Sequence, residues 1–337
     1  MQHSTTCAIV LAGGYATRLY PLTLNKPKPL LPVAGKPIID YVIDLIRQVN
    51  PDTTVISTNK RFKPEFDTWA TTTPIKVKVV AEETLREEEK PGAVKALHQL
   101  LQQYTGYDTY IVIGGDNLMT LNLKEMLELH NRTGSPVIAA YTLKDPREAS
   151  RYGVIESTIN GTITTLVEKP KLPKSNLIAT CCYILPAHTP KLLQEYLEKG
   201  GKPDAPGYFI EWLVKKTKTL AYKFKGTWFD IGTPEAYLKA NLTLITHSIS
   251  PKAEVSSSEA VESIVEEKAK LNKSLIVSSY IGHSTAVENS TVKKSVILPK
   301  AKVEDSTVSN SIIGENSVIK AHRLKKAYLP DHTKIGT

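Results

Sequence analysis

Hydrophobic and polar positions follow two different patterns along the chain, and the change falls near residue 246. From residue 7 to about 245, short β-branched runs alternate with longer amphipathic stretches, as expected for strands joined by crossover helices. Predicted strands cover 7–11, 54–58, 77–81, 110–113 and 137–141, and predicted helices cover 37–48, 93–103 and 124–130. The pattern therefore predicts an α/β fold with a Rossmann-like, mostly parallel sheet.

From residue 246 a repeat of 16 residues replaces the helical spacing. One aliphatic position recurs at Ile249, Val265, Ile281, Ile297, Ile313 and Leu329. Four residues later the side chain is small, at Ala253, Ala269, Thr285, Ala301, Ser317 and Thr333. Six residues later it is aliphatic again, at Val255, Leu271, Val287, Val303, Ile319 and Ile335. Such a period indicates stacked coils, each of which covers the apolar face of the next.

The six-residue apolar spacing, as in IGHSTAVENSTV, resembles the hexapeptide repeat of left-handed β-helices. A full triangular coil of that kind takes about 18 residues, so a shorter coil implies one tightened corner. We therefore expect two domains, 1–245 and 246–337, the second a left-handed parallel β-helix. A β-sandwich with regular hairpins is the alternative.

Composition is that of an ordinary globular protein. The 337 residues, of which 41% are hydrophobic, suffice for a large core without covalent staples. Cys7, Cys181 and Cys182 show no metal-ligand spacing, and a reducing, cytoplasmic location fits them best. No apolar run reaches the length of a membrane span, and MQHSTTC lacks the features of a signal peptide. We therefore expect no membrane partner.

The formal net charge is +9, but Lys and Arg are scattered among Asp and Glu. A nucleic-acid surface would group them with aromatic residues, so we expect no nucleic-acid partner. A small phosphate-rich ligand needs only a locally positive site. The net charge is compatible with such a ligand but does not by itself indicate one.

The stretch LAGGYATRLYPLTLNKPKP follows the first predicted strand. Gly13 and Gly14 would let backbone N–H groups approach phosphate oxygens. Arg18 offers a forked donor and Lys28 a mobile point charge. The stretch matches neither the P-loop nor GxGxxG, so an ordinary strand-to-helix turn is the alternative.

Three further motifs carry carboxylates. Asp116 ends the strand of IVIGGDN, where ligands bind in open α/β sheets. Asp230 lies in TWFDIGTPEAY, just before a predicted helix. Two carboxylates and a phosphate-binding loop are what Mg²⁺ needs to hold a nucleotide, although each Asp alone could be a turn or cap residue. Glu168 and Lys169 of LVEKP would point to opposite faces of a strand, as a solvated charge pair.

These motifs, together with KPKPLLPVAGKPIIDY and YGVIE, occur in an order that closely resembles the sugar-1-phosphate nucleotidylyltransferases, including the glucose-1-phosphate thymidylyltransferases. The resemblance covers about residues 7 to 245, and a C-terminal left-handed β-helix is a common companion in that family. It implies Mg²⁺-dependent nucleotidyl transfer from a nucleoside triphosphate to a sugar 1-phosphate, with glucose 1-phosphate expected, and release of pyrophosphate.

The resemblance also implies roles for individual residues. Arg18 would bind the departing pyrophosphate, Lys28 would stabilise charge at the α-phosphate, and Asp116 and Asp230 would be catalytic and hold Mg²⁺. Lys169 would contact the sugar phosphate, and Gly153 and Glu168 would line the sugar pocket. The nucleotide-binding residues would be Leu11, Ala12, Gly13, Gly14, Thr17, Arg18, Glu83 and Gly92.

Two departures from the family pattern affect this interpretation. The loop of the family reads GGxGTR, but here Ala16 replaces the later glycine, and a positive φ there would be strained. Where the family places base-reading residues, this chain has the longer and acidic EETLREEEKPG. The sequence therefore does not select among dTTP, UTP, GTP and ATP.

Other functions stay open at the level of sequence. A non-catalytic regulatory or assembly subunit is one alternative, although Arg18, Lys28, Asp116, Lys169 and Asp230 are all present. An acyltransferase activity of the β-helix is another, but the strict period leaves little room for looped-out insertions, and His283 and His322 lack an evident partner. We expect the β-helix to support a homo-oligomer.

Overall fold

The computed structural model of the protein describes residues 4–83 and 92–336. Its strands before the repeat are β1 (Thr6–Leu11), β2 (Pro32–Val33), β3 (Lys36–Pro37), β4 (Thr53–Asn59), β5 (Lys78–Glu82), β6 (Thr109–Gly114), β7 (Asn117–Met119), β8 (Val137–Thr142), β9 (Gly153–Ser157), β10 (Ile163–Glu168), β11 (Leu177–Pro186), β12 (Leu220–Lys223) and β13 (Trp228–Asp230). Its helices are α1 (Ile38–Arg47), α2 (Lys63–Ala70), α3 (Ala93–Gln103), α4 (Leu123–Thr133), α5 (Thr189–Glu198), α6 (Pro206–Lys216) and α7 (Pro234–Leu244).

Two compact units make up the chain, and they are not consecutive segments. The first contains Met1–Gly14 and Ile39–Trp228, and the second contains Tyr15–Ile38 and Phe229–Thr337. The segment that follows the two glycines therefore belongs to the unit that carries the repeat. The domain division at 245/246 stays a prediction.

The first unit is built on a mixed sheet with the strand order β10-β9-β11-β6-β1-β4-β5, to which β8 and β12 add beside β11. Strands β6, β1, β4 and β5 are parallel, and β11 pairs antiparallel with β6, β8 and β9. The predicted α/β class is confirmed, with parallel pairing concentrated around β1. In that parallel part each strand exposes its carboxyl end at the same edge of the sheet, the edge where open α/β sheets bind ligands.

The strands of the repeat are β14 (Ser248–Ile249), β15 (Glu254–Ser256), β16 (Glu259–Val261), β17 (Ile264–Val265), β18 (Lys270–Asn272), β19 (Leu275–Val277), β20 (Tyr280–Ile281), β21 (Ala286–Glu288), β22 (Thr291–Lys293), β23 (Val296–Ile297), β24 (Lys302–Glu304), β25 (Thr307–Ser309), β26 (Ile312–Ile313), β27 (Val318–Lys320), β28 (Arg323–Lys325) and β29 (Lys334–Ile335). Strands β14 to β25 each pair in parallel with the strand three later, as β17 does with β20, and β27 pairs in parallel with β29. This pairing gives three sheets. The arrangement is consistent with the predicted left-handed β-helix.

The coil is shortened on two sides rather than at the one corner that the sequence analysis expects. Inward residues of one coil, Val265, Leu271, Ile276 and then Ile281, are spaced six, five and five residues apart. The third of these positions, represented by Ile276 and Val292, was missed because the 16-residue columns emphasised the other two. The corners from Ser257 onward hold single non-glycine residues with positive φ, such as Lys268, Lys273 and Ser278.

Buried serines connect successive coils through the backbone. The Ser263 Oγ accepts a hydrogen bond from the Ser279 N–H at 3.1 Å, and the Ser279 Oγ accepts one from the Ser295 N–H at the same distance. Each hydroxyl also donates to the carbonyl two residues earlier in its own coil, as the Ser279 Oγ does to Val277 at 2.7 Å. The serine therefore satisfies a corner N–H that would otherwise be buried without a partner.

Stability measurements can test this stacking. Ile297 is fully buried between two coils, whereas Ile249 in the first coil is 39% exposed. We expect Ile297→Ala to lower the free energy of unfolding by about 2 to 5 kcal/mol, because it leaves a cavity. The matched Ile249→Ala variant should lose about 1 kcal/mol or less. Equal losses in chemical denaturation would contradict the coil order.

Candidate active site

The candidate site begins where β1 and β6 end side by side. These strands are parallel with Leu11 opposite Gly114, and the Gly115 N–H donates to the Leu11 carbonyl at 2.9 Å. Beyond their ends the first unit contains a cavity of about 530 Å³, whose lining includes Leu11, Gly13, Gly14, Glu82, Gly92, Gly114, Asp116 and Cys181. Predicted nucleotide-binding residues from distant parts of the sequence thus meet in one cavity.

The glycine loop is held by one backbone and one side-chain contact with β4. The Ala12 N–H donates to the Ser57 carbonyl at 2.7 Å, and the Asn59 Nδ2 donates to the Gly13 carbonyl at 3.2 Å. A Cβ at residue 13 would lie only 2.6 Å from the Glu82 Oε1, whereas a Cβ at Gly14 would meet open space. Gly13 is therefore required for the close approach of the Glu82 carboxylate.

Asp116 follows β6 and is oriented by its neighbour. The Asn117 Nδ2 donates to the Asp116 Oδ1 at 3.0 Å, and the Asn117 Oδ1 accepts a hydrogen bond from the Trp228 Nε1 at 3.0 Å. Trp228 packs edge to face on Tyr152, with ring centroids 5.0 Å apart. This chain of contacts holds the Asp116 carboxylate toward the cavity.

The structure places Glu82, not Glu83, in the cavity wall. The Glu83 carboxylate is 80% exposed and pairs with the Lys60 Nζ at 2.8 Å, whereas the Glu82 Oε1 accepts a hydrogen bond from the Ser57 Oγ at 3.3 Å. Neighbouring residues of a strand face opposite sides, and β5 ends at Glu82. Glu82 therefore lines this cavity and Glu83 does not, and the nucleotide-binding role expected for Glu83 stays a prediction.

Gly92 lies at the start of α3 with φ of +92°. A side chain there would be strained and its Cβ would collide with the Pro203 carbonyl. The first helical N–H groups are already bonded to that loop, Ala93 N to the Asp204 carbonyl at 3.3 Å and Val94 N to the Pro203 carbonyl at 2.9 Å. Gly92 thus lets the start of α3 lie close to the 203–204 loop, and this close approach shapes the cavity.

A second cluster of polar side chains lies around Glu168, at the end of β10. Its side chain is only 8% exposed, and the Lys169 Nζ lies 3.7 Å from its Oε1. Lys169 has φ of +49° and so leaves the strand, which explains why the two side chains meet instead of pointing apart as the sequence analysis expects. The Glu168 N–H donates to the Glu211 Oε2 at 3.0 Å, and this brings in a carboxylate of α6.

Two glycines make room for the Glu168 carboxylate. A Cβ at Gly153 would lie 2.9 Å from the Glu168 Oε2, and a Cβ at Gly207 would overlap the same group. Burial raises the pKa of Glu168; the charge of Lys169 opposes this shift and that of Glu211 adds to it. The Glu168 carboxylate is therefore a buried hydrogen-bond acceptor, for which the two glycines leave space.

Cys181 lines the cavity but is not poised as a nucleophile. Burial, followed by the charge of Asp116, raises the pKa of its thiol to about 12. The thiol therefore stays protonated at neutral pH, and the thiolate is the nucleophilic form.

The remaining predicted site residues lie in the second unit and converge there. Thr17 and Arg18 form a 3₁₀ turn (Thr17–Leu19) after Ala16, and Lys28 begins another (Lys28–Leu30). The buried Lys28 Nζ lies 3.9 Å from the Asp230 Oδ1. A Cβ at Gly232 would lie 3.6 Å from the Arg18 Nη2 and 3.9 Å from the Asp230 Oδ2, so the guanidinium and the carboxylate flank this glycine.

Ala16, at the position where the GGxGTR pattern has its later glycine, adopts the left-handed conformation. Its φ is +50° and ψ is 43°, and the Thr23 Oγ1 donates to its carbonyl at 2.9 Å. The strain anticipated from the sequence is therefore present, and it must be offset by the contacts of the loop.

The site residues predicted from the sequence did not include Asn117, Gly207, Glu211 or Trp228. Trp228 stands two residues before Asp230, so the aromatic run TWFD was an available signal. Among the described residues, no group of three or more His, Cys, Asp or Glu side chains converges as a metal site. No helix in residues 4–83 and 92–336 has the length and apolarity needed to cross a bilayer.

Comparison with known proteins places the chain in a family. Residues 7–247 match the model of the nucleotidyl transferase family. The chain therefore belongs to the nucleotidyl transferase family.

Individual relatives give more specific similarities. The chain is 35% identical to a protein of Sulfolobus acidocaldarius provisionally named mannose-1-phosphate guanyltransferase, over 82% of this chain and 71% of the relative. It is 29% identical to glucose-1-phosphate adenylyltransferase of Clostridium acetobutylicum, over 73% of this chain and 68% of the relative. It is also 30% identical to mannose-1-phosphate guanylyltransferase 1 of Arabidopsis thaliana, over 73% and 66%.

The raised pKa of Glu168 gives a prediction about stability. A carboxyl whose pKa is higher in the folded state contributes stability that is full below its unfolded pKa and is lost as pH rises through the folded pKa. Glu168→Gln stays neutral, so we expect this variant to be more stable than the wild type at pH 7, with the advantage disappearing near pH 4. Denaturation across this range checks it, and a variant less stable at pH 7 than at pH 4, relative to wild type, would contradict it.

Proposed function

We propose that this protein transfers a nucleotidyl group from a nucleoside triphosphate to a sugar 1-phosphate and releases pyrophosphate. The observation that carries the proposal is the cavity beyond β1 and β6, where a glycine loop and Asp116 meet. The buried Glu168 carboxylate, which Gly153 and Gly207 leave room for, and the half-exposed Lys169 offer acceptors and a cation suited to a phosphorylated sugar. Membership of the nucleotidyl transferase family agrees with this chemistry.

In the proposed reaction a phosphate oxygen of the sugar 1-phosphate attacks the α-phosphorus of the triphosphate. The new bond joins that oxygen to the α-phosphorus, the bond to the bridging oxygen of the β-phosphate breaks, and pyrophosphate leaves with the electron pair. Catalysis then rests on positioning and charge neutralisation. Arg18 would bind the pyrophosphate, Lys28 the α-phosphate and Lys169 the sugar phosphate, while Glu168 would accept hydrogen bonds from sugar hydroxyls.

Mg²⁺ is the expected cofactor, and the donor chemistry fits it. Asp116 presents a carboxylate to the cavity, and Asp230 is the second carboxylate proposed as a ligand. Mg²⁺ is commonly held by one or two carboxylates while phosphate oxygens complete its octahedron, so a cluster of three protein ligands is not required. When bound, the ion would neutralise phosphate charge.

We propose GTP as the preferred nucleotide. Glu82 presents a carboxylate to a wall that also contains Leu11, Gly92 and Ala93, small or apolar positions that suit a planar base. A carboxylate repels phosphates but can accept hydrogen bonds from the adjacent N1–H and N2–H₂ donors of guanine. Thymine and uracil offer one N–H flanked by two carbonyl oxygens, so the expected resemblance to thymidylyltransferases receives no support from this residue. Two similar proteins are named for guanylyl transfer.

The acceptor is proposed to be a hexose 1-phosphate. Glucose 1-phosphate remains the sequence-based expectation, and the names of the relatives include both mannose and glucose 1-phosphate. An assay of pyrophosphate release with four nucleoside triphosphates and both sugar phosphates, with and without Mg²⁺, separates these choices. Release with no combination would instead favour the non-catalytic subunit.

A homo-oligomer is also proposed through the β-helix. Its first coil consists of the edge strands β14, β15 and β16. Ile249, Val255 and Val261 in this coil are each about 40% exposed. Exposed edge strands with apolar side chains favour pairing with another chain, and sedimentation of Val255→Lys tests whether the mass falls to that of a protomer. An unchanged mass above that of a protomer would count against this surface.

Catalytic roles are tested by removing Lys28 and Asp116 separately. We expect Lys28→Ala and Asp116→Ala each to lower turnover on the order of a hundredfold or more, because each removes charge stabilisation at the phosphates. Asp67→Ala is the matched control, since Asp67 pairs with Lys63 on the surface of α2. A Lys28 or Asp116 variant that keeps the pyrophosphate release of the control would disprove its assigned role.

Base selection is tested at Glu82 with Glu83 as the matched control. Glu82→Gln should lower kcat/KM for GTP about tenfold or more, the usual effect of losing a hydrogen bond to a charged group. The loss for UTP or dTTP should be smaller, because an amide can pair with their N–H and carbonyl. Glu83→Gln should leave the order of nucleotides unchanged. The guanine assignment fails if both variants retain the wild-type preference.

A further inference from the structure

The segment Tyr15–Ile38 is held by the second unit, although it directly follows the glycines of the first. This segment, which we call the lysine loop, contains Arg18, Lys26 and Lys28. Two sets of contacts attach it within the unit, one at the β2–β3 hairpin and the other at Lys26. Lys28 lies between them.

The hairpin attachment involves α7 and the β-helix. The Tyr237 hydroxyl donates to the Pro32 carbonyl, and the Asn241 Oδ1 accepts a hydrogen bond from the Ala34 N–H at 2.9 Å. Gly35, with φ of +83°, lies against the Glu266 carboxylate, where a Cβ would collide. This end of the lysine loop is therefore closely fitted to its surroundings.

At the other attachment Lys26 forms ion pairs with the last coils. Its Nζ pairs with the Glu315 carboxylate and lies 3.2 Å from the Asp331 Oδ2. The side chains of Glu315 and Asp331 are only 21% and 15% exposed, and the Glu315 N–H donates to the Asp331 Oδ1 at 2.7 Å. Lys300 adds a second cation 3.5 Å from Glu315. The four groups form a partly buried, charge-balanced cluster.

The position of Lys28 depends on this cluster through a stiff piece of chain. Pro27, with φ of −67°, separates Lys26 from Lys28, and Pro29 follows. Proline fixes φ on both sides of Lys28, so a shift of Lys26 moves the Lys28 backbone with it. The Lys28 side chain is 8% exposed and reaches 3.9 Å from the Asp230 Oδ1, which leaves it little freedom to compensate.

We propose that Lys26 is a positioning residue, whose ion pairs with Glu315 and Asp331 make the β-helix a working part of the catalytic site. The kinetic part of this inference rests on the proposed nucleotidyl transfer. Lys26 aligns Lys28 for charge stabilisation at the α-phosphate and does not itself contact substrate. Its loss therefore lowers kcat more than it raises KM for the nucleotide.

Kinetics of Lys26 variants test this role. We expect Lys26→Ala to lower kcat about tenfold or more, the scale of a misplaced catalytic group, with KM for GTP changed less than about threefold. Lys26→Arg should retain most of kcat. Lys26→Glu should be impaired at least as strongly as Lys26→Ala, because it places a third carboxylate beside Glu315 and Asp331. Lys252→Ala removes an exposed β-helix pair with Glu267 and is the control.

The proposal is overturned if Lys26→Ala keeps the wild-type kcat, or if Lys26→Arg loses as much kcat as Lys26→Ala. A readout independent of activity is hydrogen exchange of the peptide 24–31 in the full chain. Exchange there should rise in Lys26→Ala and stay unchanged in Lys252→Ala. If the wild type releases no pyrophosphate, nucleotidyl transfer fails while this exchange result still tests the attachment. Unchanged exchange in Lys26→Ala would overturn the attachment itself.

Discussion

The close approach of two chain segments beyond β1 and β6 is the constraint on which the candidate cavity depends. The parallel pairing ends with Leu11 opposite Gly114, and both segments leave the sheet at that point. A Cβ at Gly115 would lie 3.0 Å from the Ala12 Cβ, so glycine is what lets the segments pass. Their convergence places the backbone of the glycine loop and the Asp116 carboxylate in one cavity. A side chain at Gly115 would force them apart.

Site residues at strand ends, such as Gly13 and Asp116, could be predicted from sequence. A predicted strand followed by glycines and a carboxylate already indicates that these residues lie at the carboxyl edge of the sheet. The sequence does not decide which of two neighbouring side chains faces the cavity, because this depends on one residue of strand register. Glu82 and Glu83 are chemically alike, and the sequence does not reveal that β5 ends at Glu82. The expectation that the side chains of Glu168 and Lys169 point to opposite faces of a strand was wrong. The left-handed φ of Lys169 depends on contacts that sequence periodicity does not encode. Glu211 became visible only through its hydrogen bond to the Glu168 N–H.

The β-helix shows the same division between pattern and context. Its period and its small and two aliphatic columns could be predicted because the inner coils repeat the same burial. The uneven sides and the left-handed corners could not, since corner residues such as Lys268, Ser278 and Asn289 share no common type. Neighbouring coils impose those conformations by pairing on both sides. Stacking thereby produces a rigid unit, and the lysine loop is attached to that unit by Lys26 and the β2–β3 hairpin.

The proposed nucleotidyl transfer to a sugar 1-phosphate requires that specific bonds form and break. The most direct test is to supply sugar 1-phosphate whose phosphate oxygens are all labelled with ¹⁸O, together with unlabelled GTP, and to weigh the products by mass spectrometry. Attack by a sugar phosphate oxygen on the α-phosphorus predicts that the sugar nucleotide carries the full label and that pyrophosphate carries none. ¹⁸O label in the released pyrophosphate, or a nucleotide product without the sugar, would contradict the proposed transfer.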